Sequence, residues 1–332
     1  MANRIHRFFS ALVLGLAALV ASAAHAGPYS DMFVFGDSLS DTGNLNIVTG
    51  GTQPPPGQPY FGGRFSDGPL WVEHLAAGLG LPLGATPFLL GGNNYAFAGA
   101  RTGTSSSPPG VLAQVAGLWA PSHAIADANA LYVVVGGGND MRDARTAFQT
   151  NSLADQAGRQ SAAQAAVDNL FNSLAVLAGH GAKHVMLSNL PDLGLTPEAV
   201  LLGLGFSSSD VTARFNALLM GLESLAETTL GLDVDVLDLA GIGTAIRVDA
   251  INNGGGVYGI TNISLPCAGF NFSAGTACSA SAFSDALHPS GVVHAIIGAQ
   301  ALNLALPEPG SAWLLMLALG GVALLRRRAV FA

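Results

Sequence analysis

Four strand-like runs dominated by apolar residues punctuate the chain, at Met32 to Phe35, Ala130 to Val135, His184 to Leu187 and Val234 to Leu237. Three of them close on turn-forming or polar residues. Apolar runs this short predict strands. Between the second and third, Val167, Leu170, Leu174 and Leu177 recur at spacings of three and four before Gly179 and Gly181, which predicts an amphipathic helix. A second helix is expected after the Ser207-Ser208-Ser209 cluster, with Val211, Phe215, Leu218, Leu222 and Leu225 on one face before Gly231. A third, Val292 to Leu304, follows the turn Pro289-Ser290-Gly291. Strands alternating with helices predict parallel βαβ units, an α/β fold whose sheet is covered on both faces. Two stretches rich in Pro, Gly and Ser, Gly50 to Gly68 and Arg101 to Gly110, interrupt this order. Each follows a chemically interesting block, so they read as surface loops around a site and not as domain boundaries.

The two ends carry a different pattern. Arg4 and Arg7 precede an apolar run from Phe8 to Val20 and then Ala24-His25-Ala26, which reads as a secretory signal peptide over residues 1–26, cleaved after Ala26. At the other end, Pro307-Glu308-Pro309-Gly310 precedes an apolar stretch from Ala312 to Leu325 and the cluster Arg326-Arg327-Arg328. Residues 306–332 therefore resemble a PEP-CTERM sorting tail of Gram-negative bacteria, which implies signal peptidase and a sorting membrane protease as processing partners. The apolar stretch would rise only about 21 Å as a helix, against roughly 30 Å of hydrocarbon, and a retained membrane anchor stays open as its alternative. Export to the periplasm, cell surface or medium is the expectation.

Setting those ends aside changes the charge picture. The whole chain has 13 Lys and Arg, 21 Asp and Glu, and a formal net charge of -8. Five of the basic residues lie in the two terminal segments, and Lys183 is the only lysine. The body between them is acidic and offers no basic stripe, which excludes nucleic acid as a partner class. Its only cysteines, Cys267 and Cys278, sit in a Gly/Ser-rich loop of an exported chain and are expected to form a local disulfide worth about 2 to 3 kcal/mol. No histidine lies near enough to them to suggest a metal cluster.

Candidate chemistry begins at Ser38, three residues past the first strand, in "FVFGDSLSDTGN". A serine there can cap a helix, at about 1 kcal/mol, or attack a substrate if a base and oxyanion donors accompany it. His288 is the candidate base, with Asp285 three residues before it, a spacing that lets a carboxylate reach Nδ1 and leave Nε2 free to take a serine proton. Taken alone, the pair also fits a surface contact or a cap. The glycines and Asn139-Asp140 in "VVVGGGNDMRD" suggest backbone and amide donors, with a strand-end turn as the other reading. Gly99 in "NNYAFAGAR" offers a further N–H.

In combination these blocks resemble the GDSL, or SGNH, hydrolases. Gly36-Asp37-Ser38-Leu39 with Ser40 to Asn44, Asn94-Tyr95-Ala96 through Arg101, Gly137-Gly138-Asn139-Asp140 and Asp285-Ala286-Leu287-His288-Pro289 appear in that family's order. The lipolytic esterase and phospholipase branch is nearest, through Gly62 to Ala76 and Val257 to Asn262. The resemblance implies a flavodoxin-like α/β/α sandwich with a central parallel sheet over residues 27–305. It implies Ser38 as nucleophile, His288 as base and Asp285 as its orienting carboxylate. The oxyanion hole would comprise the Ser38 and Gly99 N–H groups and the Asn139 amide. An ester or lipid substrate follows, with neither metal nor organic cofactor required. Phospholipase, acyltransferase and polysaccharide deacetylase activity stay open, as do oligomeric state and a non-catalytic surface or matrix binding role.

Overall fold

The computed structural model of the protein describes residues 28–56, 60–267, 269 and 275–306. The expected signal peptide, and the sorting tail beyond Leu306, lie outside these residues. Four strands, β1 (Met32–Phe35), β2 (Leu131–Val134), β3 (His184–Ser188) and β4 (Asp233–Leu237), form one parallel sheet in the order β1-β2-β3-β4. Register runs Met32 to Leu131, Leu131 to His184 and His184 to Asp233. Residues 93–97 extend the sheet beyond β1: Val34 donates to Asn93 O at 3.0 Å, and Tyr95 donates to Val34 O at 2.7 Å. Counting that stretch, the chain order is 2-1-3-4-5, the doubly wound arrangement of flavodoxin-like sheets.

Because side chains alternate along a strand, each strand feeds two cores. Phe33, Phe35, Tyr132, Val134, Val185 and Leu187 pack on one face, against α4 (Leu153–His180) and α6 (Gly205–Leu230). Met32, Val34, Leu131, Val133 and Met186 pack on the other, against α2 (Trp71–Leu79), α7 (Leu239–Asn253) and α8 (Gly291–Ala305). The expected three-layer α/β/α architecture with a central parallel sheet is what the chain adopts. The shorter helices α1 (Asn44–Val48), α3 (Gly138–Ala147) and α5 (Pro197–Leu201) lie near the carboxyl ends of the strands.

Helix ends depart from the sequence expectation. Gly179 lies inside α4, and the left-handed Gly181 ends it. The Ser207-Ser208-Ser209 cluster lies within the first two turns of α6 instead of capping it: Ser207 Oγ donates back to Leu204 O, and Ser208 is fully buried. A small parallel pair, β5 (Asn262–Pro266) and β6 (Ser281–Phe283), has no counterpart in the sequence reading, because β6 has only three residues and the pairing is interrupted by a register shift. The bonded cysteines Cys267 and Cys278 flank the connection between β5 and β6, as expected for a local disulfide.

His294 is fully buried between α8 and α2, where its Nδ1 accepts the Trp71 N–H at 3.3 Å. Burial, with the nearby His288 and His74 charges, pushes its pKa down from 6.5 to about 3. A histidine depressed in this way supports the fold fully above its unfolded value and withdraws that support as pH falls toward the folded one. Between pH 6.5 and pH 4 the protein should therefore lose about 3 kcal/mol of stability at this residue. Urea unfolding across that range checks it: His294→Asn, which keeps an acceptor for Trp71, should flatten the acid side of the profile, and an unchanged slope would refute the assignment.

Candidate active site

The turn from β1 into α1 is held rigidly from below. Gln114 spans Gly36 on both sides, accepting its N–H at 2.8 Å and donating to its carbonyl at 2.8 Å. A Cβ on Gly36 would lie 3.1 Å from Val135 O and 3.3 Å from Ser40 Cβ, so the close approach of the chain just past β2 favours glycine. Within the turn, capping falls to the neighbours of Ser38. The Asp37 carbonyl accepts from Ser40 and Asp41 N–H, and its carboxylate accepts from Leu39 N–H at 3.0 Å. Asp41 accepts from Gly43, Asn44 and Leu45 at the start of α1, and from Ala98 across the turn. Ser38 caps no helix and is left half-exposed.

Its hydroxyl instead meets His288, with Nε2 2.9 Å from Oγ. His288 Nδ1 lies 2.7 Å from Asp285 Oδ2, and Asp285 Oδ1 accepts the backbone N–H groups of Leu287 and His288 at 2.8 and 2.7 Å. Burial pushes the Asp285 carboxyl up, but the His288 charge and these hydrogen bonds outweigh it and hold the group well below the usual carboxylate range. The Tyr60 hydroxyl donates to the same Asp285 Oδ2 at 2.8 Å, while burial and the Asp285 charge push its own pKa up and keep it protonated. Phe65 covers the His288 ring, 5.0 Å between centroids. Ser284 Oγ, bonded to Asp67 at 2.6 Å, anchors the start of this turn just past β6.

The expected donors gather at the same place. Asn139, the second residue of α3, donates from Nδ2 to Ala100 O at 2.8 Å, which leaves its other amide hydrogen free. Among the described residues, neither the Ser38 nor the Gly99 backbone N–H has a hydrogen-bond partner. Gly99 has φ +83°, a left-handed backbone that side chains rarely tolerate. Asp140 turns away and accepts from Thr102 N–H and Oγ1, tying down the loop after Arg101. Buried Asp37, beside the serine, is pushed up to about 6 by burial, with Asp140 adding to the rise.

A cavity of about 570 Å3 opens over Ser38, Gly99, Asn139 and His288, with Tyr60, Phe65 and Leu45 in its walls. A narrower cleft of about 160 Å3 shares Ser38, Asn139 and His288 and runs on between Leu190, Ile242, Ile246, Val293 and Ile297. All five sequence-predicted site residues thus converge. Sequence reasoning missed Tyr60, Arg142 and Glu198, which line the same cavity. Of these only Arg142 carried a local signal, three residues after Asn139 on one helix face.

Comparison with known proteins gives the family. Residues 32–301 match the family GDSL-like Lipase/Acylhydrolase. The chain is 30% identical over 225 residues to Lipase 1 of Photorhabdus luminescens, covering 67% of this chain and 31% of that protein. It is 29% identical over 227 residues to the phosphatidylcholine-sterol acyltransferase of Aeromonas hydrophila, covering 63% and 59%. An uncharacterized Pseudomonas putida protein is 36% identical over 211 residues, covering 57% and 33%. The chain therefore spans from about three-tenths to three-fifths of the length of these curated relatives. Among solved structures, a carbohydrate acetylesterase from Sinorhizobium meliloti is 13% identical with a TM-score of 0.43, covering 82% of this chain and 96% of that one. Phospholipase A1 from Streptomyces albidoflavus is 16% identical with a TM-score of 0.43, covering 84% and 100%. The family match runs from the first residue of β1 into the last helix and encloses every group gathered around Ser38, so the chain belongs to the GDSL-like lipase/acylhydrolase family.

Proposed function

We propose that the protein is an exported serine esterase that hydrolyses carboxylic esters through an acyl-enzyme on Ser38. The observation that carries this reading is the unbroken relay from Ser38 Oγ through His288 to Asp285, at 2.9 and 2.7 Å. His288 Nε2 takes the serine proton as Oγ attacks the ester carbonyl. Asp285, held ionised, stabilises the imidazolium and fixes the tautomer. The oxyanion forms against the Ser38 and Gly99 N–H groups and the free hydrogen of Asn139 Nδ2. The alcohol leaves with the proton from His288, and water repeats the cycle to release the acid.

The narrow apolar cleft suits the acyl chain, and the wide cavity suits the leaving alcohol. The names of the Photorhabdus and Aeromonas relatives support a lipid ester as substrate. Acyl transfer to an acceptor alcohol is the second reading, favoured by the acyltransferase relative and by a cavity of about 570 Å3 that has room for an acceptor beside the leaving group. Export, with signal peptidase and a sorting protease as partners, rests on the patterns of residues 1–26 and 306–332.

Ser38→Ala and His288→Ala should each abolish turnover of p-nitrophenyl butyrate with unchanged circular dichroism, and an active-site phosphonate should label Ser38 alone. Wild-type rates in either variant would dismiss the relay. Asn139→Ala should lower kcat by roughly 100-fold to 1,000-fold with KM little changed, because its hydrogen bond tightens only on the oxyanion. Ala240→Trp, which fills the narrow cleft, should lower kcat/KM for octanoyl esters at least tenfold relative to acetyl esters; an unaltered chain-length profile would place the acyl chain elsewhere.

A further inference from the structure

An amide side chain has a donor end and an acceptor end, and only one of its two orientations can serve an oxyanion. Two neighbours of Asn139 select that orientation independently. The Ala100 carbonyl can only accept and takes a hydrogen from Nδ2 at 2.8 Å. The Arg142 guanidinium can only donate, and its Nη1 gives a hydrogen to Oδ1 at 3.2 Å. Flipping the amide would set oxygen against oxygen at Ala100 and N–H against N–H at Arg142. It would also turn Oδ1 toward the place where negative charge develops.

Arg142 is itself held by a fork. Its Nε lies 3.0 Å from Glu198 Oε2, and its Nη2 lies 2.5 Å from Oε1. Paired forks of this kind fix a guanidinium in both position and plane. Glu198 is held in turn by Arg145, whose side chain is only 2% exposed. The Glu198 backbone N–H, at the start of α5, donates to Ala286 O at 2.7 Å, inside the turn that carries Asp285 and His288. One residue thus links the amide side of the site to the histidine side.

We propose that Arg142, fixed by Glu198, is a positioning residue that keeps the Asn139 amide turned with Nδ2 toward the oxyanion. The proposal rests on Asn139 being an oxyanion donor. It predicts a loss in the chemical step that depends on Asn139 being present.

The test is steady-state hydrolysis of p-nitrophenyl butyrate by the full chain, in a double-mutant cycle with thermal unfolding as the fold control. Arg142→Ala should lower kcat by about 10-fold to 30-fold with KM within about twofold. In the Asn139→Ala background the same substitution should change kcat by less than about twofold. Arg142→Lys, which keeps a donor for Oδ1 without the fork, should recover part of the loss. Equal losses in both backgrounds, or a change confined to KM, would overturn the proposal. Should Arg142→Ala fail to fold, Glu198→Gln replaces it, with an expected kcat loss of about threefold to tenfold that likewise vanishes without Asn139. If Asn139→Ala alone leaves kcat unchanged, the oxyanion reading itself falls, an outcome separate from failure of the Arg142 coupling.

Discussion

A parallel sheet covered by helices on both faces can present a side chain to substrate only at the ends of its strands. Here β1 enters its turn at Gly36, whose two backbone groups are both met by the buried Gln114. That clamp removes the need for Ser38 to satisfy any neighbouring backbone, because Asp37 and Asp41 cap the turn and α1. The hydroxyl is free to bond to His288, 250 residues away in sequence, and the site is assembled around that contact.

The carboxylates near this contact are treated differently, and the differences are electrostatic. Asp285 is held ionised by His288 and two backbone N–H groups in spite of its burial. Glu198 is also held low against burial, by Arg142 and Arg145. Asp37 has a single N–H donor and is pushed upward. The two groups that must stay charged, one to steady an imidazolium and one to hold a guanidinium, are those given strong partners.

The mouth of the site is built from long-range pieces. The connection between β5 and β6 is closed by Cys267 and Cys278, and β6 leads directly into the Asp285–His288 turn. Ser284 pins that turn to Asp67 in the loop before α2. The Pro- and Gly-rich segment ahead of α2 thus contributes Tyr60 and Phe65 to the site and also braces the histidine from below.

Much of this was written locally in the chain. The four main strands are legible because their buried positions form short apolar runs, complete in β1 and β2 and interrupted by Asp235 in the partly exposed β4, and the gathered motif residues are legible because each needs a particular side chain at a particular spacing. Helix ends were less so: Ser207 to Ser209 look like a cap, yet the helix begins earlier at Gly205, Ser207 returns its hydrogen bond to Leu204, and Ser208 and Ser209 turn to Arg145 and Asp192 on other elements. The pair β5 and β6 was harder to see because β6 has only three residues and the register shifts between Asn262 and Pro266. Tyr60 and Glu198 carry no sign of their roles, and Arg142 shows only its spacing from Asn139, since an isolated aromatic or charge reads as surface until its partner is known. Their partners lie 225 residues away for Tyr60, and 56 residues apart for Arg142 and Glu198. By itself the sequence determined which groups could do chemistry and the α/β frame that carries them. Only the tertiary structure decided which way the Asn139 amide faces and which charges hold it there, because those are contacts between elements that fold together from distant parts of the chain.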